Sequence, residues 1–596
     1  MLNIKRLTIF IVLLLSSVAL PQNDNIIYHY PLNNAKFVQP AAAIGFRFND
    51  KITEYLFQQI EINVNGTVSG KIAGNIKLLD DKATLIFTPS QKFTNGEKIS
   101  VKITSPNLAE ETGFSFEIMK YSPPPEDRKK INRKLLNEFA LAENKNEKDF
   151  KKASHNLSAD LPEINININD NPSDGKIFTA NFSQDTTKIP YLLILNNDGT
   201  PFFYRKMSSY CVDFKLHDNG LMTYFQAGKN KFYVMDKTYT VIDSVQSKNG
   251  YSTDAHDIKF LGNGNILLLG NDLQVMDMSR VIAGGKREAN VLGNIMQILD
   301  KQKNVIFEWR SWDHFQVTDA EHEDLTAGFI DYVHANALDF DYDGNILLSS
   351  RHLSEITKIN INTGETIWRL GGKNNQFTFV NDPVGFSYQH AILRTKEGTY
   401  TLFDNGDFHT PPFSRAVEYS IDDNNKIAHL IWQFKEDTTF FSRAMGFVER
   451  LDNGNTTISW GLTNKAFTEV DKNGNKIYEF YFSPGVFAYR TRRFSNADFS
   501  FTPNNSLPQK FILEQNYPNP FNNSTIIHFE LAEKSIVSLT IYNILGQVIE
   551  KLLDNESKGS GNFNINFNAD RLSTGVYFYQ LSVNNKLSTK KMILLK

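Results

Sequence analysis

A repeated unit between residues 160 and 500 constrains the fold of this 596-residue chain more than any other feature. Each unit has a turn glycine, an apolar strand and a second strand that ends near Asp or Asn. Two weaker copies, at 191–206 and 219–236, bring the number of units to six. Four short antiparallel strands per unit at this spacing are typical of a β-propeller, so we predict a six-bladed β-propeller over residues 161–500. The clearest copies are 262–277, 341–359, 395–407 and 451–471.

The segments that flank the repeat support an all-β fold class with more than one domain, because 596 residues exceed a single core. Residues 23–120 are short alternating runs separated by Asn, Gly, Asp and Pro turns, which predicts an N-terminal immunoglobulin-like β-sandwich. Residues 121–160 contain a run of prolines and then apolar residues at helical spacing. This pattern predicts a linker with one short helix.

Residues 1–22 have the pattern of a signal peptide, with Lys5 and Arg6 before a short apolar run and small residues after it. The chain is therefore expected to leave the cytoplasm. The sequence has no later run of about 18 apolar residues, which is the length that would predict a transmembrane segment. The single cysteine, Cys211, excludes an internal disulfide. The net charge of −3 gives no reason to expect a nucleic-acid partner.

Three histidines occupy equivalent positions in consecutive units of the repeat. His256 lies 8 residues before its turn glycine, His334 lies 10 before and His390 lies 8 before. The strand that precedes the first turn of a propeller blade is the innermost one, beside the central channel. We therefore predict that His256, His334 and His390 converge at the channel mouth. Asn336 is on the same predicted inner strand as His334.

Arg351 follows Gly344 by 7 residues, and the same register gives Asn271 and Asn405 in the neighbouring units. Antiparallel pairing of the two strands would return Arg351 to the side of His334. Because arginine keeps its charge, it is expected to bind an anion or complete an ion pair. His352 would face the other side if the strand continues, and we predict a structural role for it. The histidines that lack the repeat relationship are predicted to be solvated or structural: His217, His314, His322, His409 and His429.

Three kinds of site remain compatible with these residues. Three converging histidines could bind a metal ion and support a metal-dependent lyase or hydrolase. The fixed charge of Arg351 opposes a divalent cation and suits an oxyanion such as sulfate or phosphate. A non-catalytic propeller that binds sulfated or aromatic ligands at the surface is the third alternative.

Residues 25–495 resemble the bacterial arylsulfate sulfotransferases that work without a nucleotide sulfate donor. The resemblance implies an N-terminal sandwich followed by a six-bladed propeller. It is strongest from Asp254 to Gly461. The matching segments, in order, are SDGKIFTANF, STDAHDI, VHANAL, GNILLSSRH, FSYQHAIL, LFDNGD, SRAVEY and LDNGNTTISWG.

The resemblance implies transfer of a sulfuryl group from a phenolic (aryl) sulfate ester to a phenolic acceptor, through a sulfated histidine and with no cofactor or metal. By motif, it implies that His390 is the nucleophile and that His256, His334 and Arg351 act on the sulfuryl oxygens. Asn336 is implied to assist in substrate binding. Charge develops on these oxygens during transfer, and preorganised donors with a fixed cation stabilise it. Two successive transfers predict ping-pong kinetics.

One departure from the family concerns the loop of the nucleophile. Periplasmic members carry a disulfide near it, which a chain with only Cys211 cannot form. The pocket for the aryl ring is not readable from the sequence. Aromatic residues of the same region could stack on a ring, although core packing is the expected role for any single one: Phe386, Tyr388, Phe403, Phe408 and Phe413.

Residues 511–596 resemble the type A C-terminal sorting domain of the type IX secretion system. The motifs NYPNPFN, IYNILGQ, GVYFY and KKM carry this resemblance. It implies a small β-sandwich that the type IX machinery recognises, and a secreted or cell-surface protein exported through the periplasm and outer membrane. The sequence leaves the oligomeric state open; a homodimer is compatible with it, and the N-terminal sandwich offers a contact surface.

Overall fold

The computed structural model describes residues 26–105, 112–121, 161–185, 187–436, 440–495, 511–531, 534–584 and 586–596. The predicted signal peptide and the predicted linker helix lie outside these residues. The chain divides into two compact units, Met1–Ser500 and Phe501–Lys596. Within the described part, no helix is long and apolar enough to cross a membrane.

The larger unit begins with a β-sandwich. Two four-stranded sheets, β1-β2-β6-β5 and β4-β3-β7-β8, enclose an apolar core that includes Phe46 and Phe116. Strand β7 alternates exposed and buried residues, because successive side chains of a strand point to opposite faces. The elements are β1 Ile26–Tyr30, β2 Ile44–Phe48, α1 Glu54–Phe57, β3 Glu61–Gly66, β4 Gly70–Lys71, β5 Gly74–Leu78, β6 Thr84–Pro89, β7 Lys98–Thr104 and β8 Thr112–Glu117.

Strands β9 to β36 follow in the same unit, with one helical turn, α2, and two 3₁₀ turns. The first half is β9 Ile164–Asn169, β10 Lys176–Ser183, β11 Tyr191–Leu195, β12 Pro201–Lys206, β13 Cys211–Leu216, β14 Met222–Gln226, β15 Lys231–Met235, β16 Val241–Val245, β17 Ser252–Phe260, β18 Ile266–Met276, a 3₁₀ turn Met278–Arg280, β19 Ala289–Leu299, β20 Val305–Arg310, α2 Ser311–His314, a 3₁₀ turn Val317–Asp319 and β21 Phe329–Asp331. The second half is β22 Ala335–Phe340, β23 Ile346–Ser350, β24 Glu355–Ile359, β25 Thr366–Gly371, β26 Thr378–Val380, β27 His390–Arg394, β28 Tyr400–Asp404, β29 Arg415–Asp422, β30 Ile427–Phe434, β31 Phe447–Arg450, β32 Thr456–Ser459, β33 Lys465–Val470, β34 Lys476–Phe482, β35 Val486–Ala488 and β36 Arg492–Phe494.

These strands form six sheets in the described part of the chain, and we name them A to F. Sheet A contains β10–β12, sheet B β13–β16, sheet C β17–β20 with β21, sheet D β22–β25, sheet E β27–β30 with β26, and sheet F β31–β34. The first strands of successive sheets, from β10 through β31, contact one another. This arrangement is a β-propeller, as the repeat predicts. The first strand is the inner edge strand of sheets B to F, and in sheet A β35 and β36 lie on the inner side of β10.

The two ends of the propeller close the ring. Strand β9 pairs antiparallel with β34 and completes sheet F. Strands β35 and β36 pair antiparallel with β10 and complete sheet A. Sheet A therefore contains β35 and β36 from the end of the propeller, and sheet F contains β9 from its beginning.

The smaller unit is a second β-sandwich. Sheets β37-β38-β41 and β40-β39-β42-β43 enclose an apolar core that includes Phe529 and Tyr579. Strand β42 alternates half-buried and buried residues, in agreement with one face packed on that core. The strands are β37 Phe511–Leu513, β38 Ser524–Leu531, β39 Ser535–Asn543, β40 Val548–Lys558, β41 Gly561–Asn568, β42 Gly575–Val583 and β43 Lys586–Leu594.

A buried arginine joins the N-terminal sandwich to sheet C. Arg310, at the end of β20, is 2% exposed and lies 3.2 Å from Asp272 and 3.3 Å from Asp313. Its guanidinium also donates to the backbone carbonyls of Lys36 and Phe37 at 2.9 and 3.2 Å. One cation thus satisfies two carboxylates of the propeller and two carbonyls of the sandwich.

We expect Arg310→Met to lower the free energy of unfolding of the larger unit by roughly 3–5 kcal/mol, because it leaves buried carboxylates without their cation. Calorimetry of the full chain measures the loss as a lower melting temperature. Arg280→Met is the control: Arg280 also pairs with an aspartate, at 3.2 Å, but its side chain is 86% exposed. An equal loss in both variants would contradict this role of Arg310.

Candidate functional site

Three histidine rings converge where the innermost strands of sheets C, D and E begin. His256 lies within β17, His334 immediately precedes β22, and His390 is the first residue of β27. The ring centroids of His256 and His334 are 5.0 Å apart, and those of His334 and His390 are 6.4 Å apart. The structure thus brings together the three histidines that the repeat register singles out.

Irregular backbone shapes this end of the inner strands. The pairing register of each inner strand from β13 to β27 shifts near its start, for example between Thr253 and Ile258 in β17. Bulges of this kind re-aim side chains and are frequent next to active sites. His334, Tyr388, Ala391 and Met445 have positive φ angles of 51°, 53°, 61° and 64°. Such backbone is costly for residues other than glycine, and its clustering here points to a functional site.

Asn405 determines the tautomer of His390. The side-chain amide nitrogen of Asn405 donates to the carbonyls of Ser442 and Met445, so its oxygen faces His390. That oxygen lies 2.7 Å from Nδ1 of His390, which must therefore carry the proton. Nε2 keeps its lone pair and accepts a hydrogen bond from the backbone N–H of Met445 at 3.2 Å.

His390 is held neutral. It is 2% exposed, and burial is the largest cause that lowers its pKa well below the usual histidine value, followed by the positive charge of Arg351. An imidazole that stays unprotonated at neutral pH is a competent nucleophile.

His256 has the opposite charge preference. Its Nδ1 lies 2.6 Å from Asp254, whose carboxylate also accepts from the His256 backbone N–H at 2.8 Å. Burial lowers the pKa of His256, but the charge of Asp254 and this hydrogen bond outweigh it, so the pKa is raised. The site therefore contains one imidazole that favours the cation and one that favours the neutral form, which is the usual basis for acid and nucleophile roles.

Arg351 lies where the second strand of sheet D returns to the first. Its backbone N–H donates to the carbonyl of His334 at 3.0 Å, as antiparallel pairing predicts. The guanidinium donates to His352 at 2.8 Å, lies 3.5 Å from Asp407 and stacks 4.4 Å from the ring of Tyr388. Its Nε is buried and has no hydrogen-bond partner among the described residues, so the cation retains capacity to bind an oxyanion.

The predicted direction of the His352 side chain, away from the site on the other face of a continuing strand, is wrong. Strand β23 ends at Ser350, so the parity of a continuing strand does not apply. The His352 ring lies 4.6 Å from that of His334, and its Nε2 accepts from Arg351. Nδ1 then donates to the backbone carbonyl of Asp331. Burial, followed by the charges of His334 and Arg351, lowers the pKa of His352 well below its usual value.

Sequence reasoning missed Asp331 and Asp254. Asp331 lies 2.8 Å from Nδ1 of His334, and burial followed by the charge of Asp254 raises its pKa to about 7. Both aspartates come two or three residues before a site histidine, in DAH and DYVH. That spacing is the signal that could have identified them.

Asn336 is placed differently from a ligand-binding side chain. It is 0% exposed, and its amide nitrogen donates to the carbonyl of Gln389 at 2.8 Å. Its amide oxygen accepts from the backbone N–H of Ala391 at 3.4 Å. In this structure the amide joins sheets D and E directly beside His390, and its role in substrate binding stays a prediction.

The remaining histidines and aromatic residues divide into core and rim. His314 is half-buried and stacks on Trp309, and His409 is buried against Asp404 at 2.8 Å. Phe386 and Phe403 are buried in the core. His217 and His429 lie within the propeller away from the three converging rings, and Phe413 stacks on His409. The rim consists of His322, Tyr388 and Phe408, whose rings contact one another.

Ion pairs and hydrogen bonds hold the loop before His390. Arg415 donates to Asp404 at 2.8 Å and to Asp382 at 2.9 Å. Asp404 also accepts from the backbone N–H of Ser387 at 3.0 Å. Cys211 is buried and free, and it lies in β13, far along the chain from this loop. Ion pairs and hydrogen bonds, with no disulfide, therefore hold this loop in the described part of the chain.

Among the residues that the structure describes, one side-chain group has a geometry compatible with a metal ion: Asp331, His334 and His352 offer ligand atoms within 4.8 Å of one another. It differs from the predicted trio because His256 and His390 are not part of it. The guanidinium of Arg351 already donates to His352, so a divalent cation here would lie beside a fixed positive charge.

Two family models match this chain. A family model described as Arylsulfotransferase (ASST) matches residues 163–490, more than half of the chain. The chain belongs to the arylsulfotransferase family. A second model, a secretion system C-terminal sorting domain, matches residues 515–595. This sorting domain indicates export across the outer membrane to the cell surface or the medium.

Two curated relatives match part of the arylsulfotransferase. Arylsulfate sulfotransferase AssT of Escherichia coli O6:H1 is 27% identical over 166 residues, which cover 22% of this chain and 27% of the relative. AssT of Lelliottia amnigena is 29% identical over 183 residues, which cover 25% and 30%. The chain thus spans less than a third of the length of these relatives.

Solved structures with similar architecture are more distant. A protein of unknown function from Bacteroides caccae is 12% identical, with a TM-score of 0.35, and covers 53% of this chain and 98% of its own. A catalytically inactive virginiamycin B lyase from Staphylococcus aureus, with quinupristin, is 11% identical, with a TM-score of 0.31, and covers 54% and 88%.

We expect Asp254→Asn to lower the pKa of His256 below the ordinary histidine value of about 6.5, because burial then acts without an opposing carboxylate. Histidine ¹⁵N shifts across a pH titration measure this change, with His256→Gln used for assignment. The His390 ring should stay neutral, with its proton on Nδ1, in both proteins. An unchanged pKa of His256 would contradict the role given to Asp254.

Proposed function

We propose that this arylsulfotransferase moves a sulfuryl group from an aryl sulfate to a phenolic acceptor by two successive displacements at His390. The observation that carries the proposal is the tautomer of His390. Nδ1–H donates to the side-chain oxygen of Asn405, so the ring's nucleophilic lone pair is on Nε2. A buried, neutral imidazole with a defined nucleophilic atom is what covalent catalysis requires.

In the first displacement, Nε2 of His390 gives up the hydrogen bond from the backbone N–H of Met445 and attacks the sulfur. The bond from sulfur to the phenolic oxygen breaks. The sulfuryl oxygens and the leaving oxygen carry the developing charge. Arg351, whose buried Nε has no partner, and the ring of His334 supply the donors that stabilise this charge. The leaving phenolate takes its proton from the cationic form of His256, which Asp254 favours by raising the pKa of that ring.

In the second displacement, a phenol takes the place of the first one. Its oxygen attacks the sulfur while His256, now neutral, accepts its proton. The sulfur–nitrogen bond breaks and its electron pair returns to Nε2 of His390. The acceptor leaves as an aryl sulfate. Donor and acceptor never need to be bound together, which predicts ping-pong kinetics with no nucleotide sulfate donor.

A metal-dependent lyase or hydrolase is the second candidate, because Asp331, His334 and His352 are close enough to share an ion. The guanidinium of Arg351 beside His352 disfavours it. Metal analysis of the purified protein separates the two: one equivalent of tightly held zinc or manganese, with activity lost on chelation, would favour the metal enzyme.

We expect His390→Ala to abolish transfer from p-nitrophenyl sulfate to phenol and to remove a mass increase of one SO₃ from the peptide that contains residue 390. His429→Ala is the matched control, a half-buried histidine of the same sheet with no contact to the site rings. Transfer that persists in His390→Ala, or a sulfated peptide elsewhere in the chain, would contradict the assignment of His390 as the nucleophile. A surface that only binds sulfated ligands would give no such mass increase.

We expect Arg351→Met to lower kcat by roughly 10²–10³, the usual effect of removing one preorganised donor from an oxyanion site. Arg351→Lys should recover only part of the loss, because an ammonium keeps the charge but not the planar set of donors. Steady-state kinetics with p-nitrophenyl sulfate measure both variants. A kcat unchanged in Arg351→Met would rule out a contact with the sulfuryl group.

A further inference from the structure

A nine-residue segment, 320–328, lies at the rim of the site, and we call it the mouth segment. It is part of the unusually long spacing between Gly264 and Gly344, 80 residues where the other turn glycines lie 44 to 56 apart. The backbone N–H of Glu321 donates to the carbonyl of His352 at 3.0 Å. Lys373 holds the preceding residues by donating to the carbonyl of Thr318 at 2.9 Å. The mouth segment is thus anchored directly to the cluster of site histidines.

Glu323 of the mouth segment has one oxygen committed and one available. Oε1 accepts from the hydroxyl of Tyr388 at 2.6 Å and lies 3.6 Å from Nε2 of His352. Among the described residues, no donor reaches Oε2, and the side chain is 26% exposed. The carboxylate therefore connects the histidine cluster with solvent and can accept a further hydrogen bond.

An aromatic wall stands beside this carboxylate. Phe408 is 47% exposed, stacks on the ring of His322 at 3.4 Å and meets the ring of Tyr388 edge-on at 4.8 Å. An exposed phenylalanine in contact with two other rings offers a face on which an aryl group can pack. The same residues, Phe408 and Tyr388, are two of the aromatic candidates of the sequence.

The charge near the wall is negative at pH 8 once a sulfuryl group is bound. Glu323, Asp331 and Asp407 surround Tyr388 and His352. Burial raises the pKa of all three carboxyls, to about 7 for Asp331 and Asp407, so most of this negative charge is present at pH 8. A bound sulfuryl group would use the charge of Arg351, the buried cation beside them. Two further cations lie nearby: Arg443 acts on Asp407 and Lys373 acts on His322. Both side chains are exposed to water, where screening weakens their effect.

We propose that Glu323 and the wall of Phe408, Tyr388 and His322 form a substrate subsite that selects phenols by the charge of their ring substituent. The subsite favours rings that carry an ammonium or another hydrogen-bond donor, and it disfavours rings that carry a carboxylate. This inference rests on the proposed sulfuryl transfer. Since donor and acceptor present their oxygens to the same sulfur in turn, both rings meet the subsite.

Three acceptors of similar size test the subsite at pH 8 with p-nitrophenyl sulfate as donor: 4-(2-aminoethyl)phenol, 4-ethylphenol and 3-(4-hydroxyphenyl)propanoate. We expect kcat/KM for the amine to exceed that for the carboxylate by about tenfold or more, since about 1.4 kcal/mol of differential interaction is tenfold. The ratio should fall as salt is added, because the subsite is partly exposed. Neutral 4-ethylphenol should lie between the two.

Variants of the full chain separate the subsite from the chemistry. Glu323→Gln should bring the ratio of amine to carboxylate close to one, and Glu323→Lys should reverse it. Asp324→Asn is the matched control, an exposed carboxylate of the same segment whose Oδ1 accepts from the backbone N–H and the hydroxyl of Thr326. The ratio should not change in Asp324→Asn.

The burst of p-nitrophenolate that accompanies sulfation of His390 reports the first displacement alone. A normal burst with a ratio that does not respond to Glu323→Gln overturns the subsite but leaves the proposed function intact. A preference for the carboxylate also overturns it and points to Arg443 instead. The absence of a burst in the unmodified protein would overturn the proposed function and this inference with it.

Discussion

A guanidinium that cannot lose its proton is buried among histidine rings, and the charge states of the site follow from it. Burial alone already disfavours imidazolium, and the cation of Arg351 adds to that effect at His390 and His352. His256, which has its own carboxylate in Asp254, has a raised pKa and favours the cation instead. Neighbouring imidazoles of one cluster thus differ in charge because one fixed cation and one aspartate are placed among them.

The geometry of the strands explains why so much of the site could be predicted from the sequence. A repeat places equivalent residues at equivalent points of successive sheets, so counting from the turn glycines was enough to bring His256, His334 and His390 together. The same count led to Asn405, whose role in the tautomer of His390 needs the orientation of its amide. Arg351 followed from antiparallel pairing alone.

The rest of the site depends on backbone that leaves the repeat. His352 was misassigned because β23 ends one residue before Arg351, and a turn has no strand parity. Glu323 belongs to the mouth segment, which has no counterpart in the other units. Met445 has a positive φ angle, and its backbone N–H donates to His390. A contact made by the backbone leaves no pattern of side chains in the sequence from which it could be predicted. The repeat predicts where side chains lie on regular strands, but it does not predict the conformation of loops that pack against those strands.

The strand pairing that closes the ring constrains the order in which the parts of the propeller can fold. Strand β9 finds its partner β34 about 300 residues later in the chain, and pairing of such distant segments is slow to form. Met445, which completes the surroundings of His390, comes just before sheet F. A chain that has formed only sheets A to E therefore lacks the β9–β34 pairing that closes the ring and the backbone N–H that donates to Nε2 of His390. The surroundings of His390 are complete only when the last part of the propeller has folded, so a partly synthesised chain carries its histidines in an incomplete candidate site.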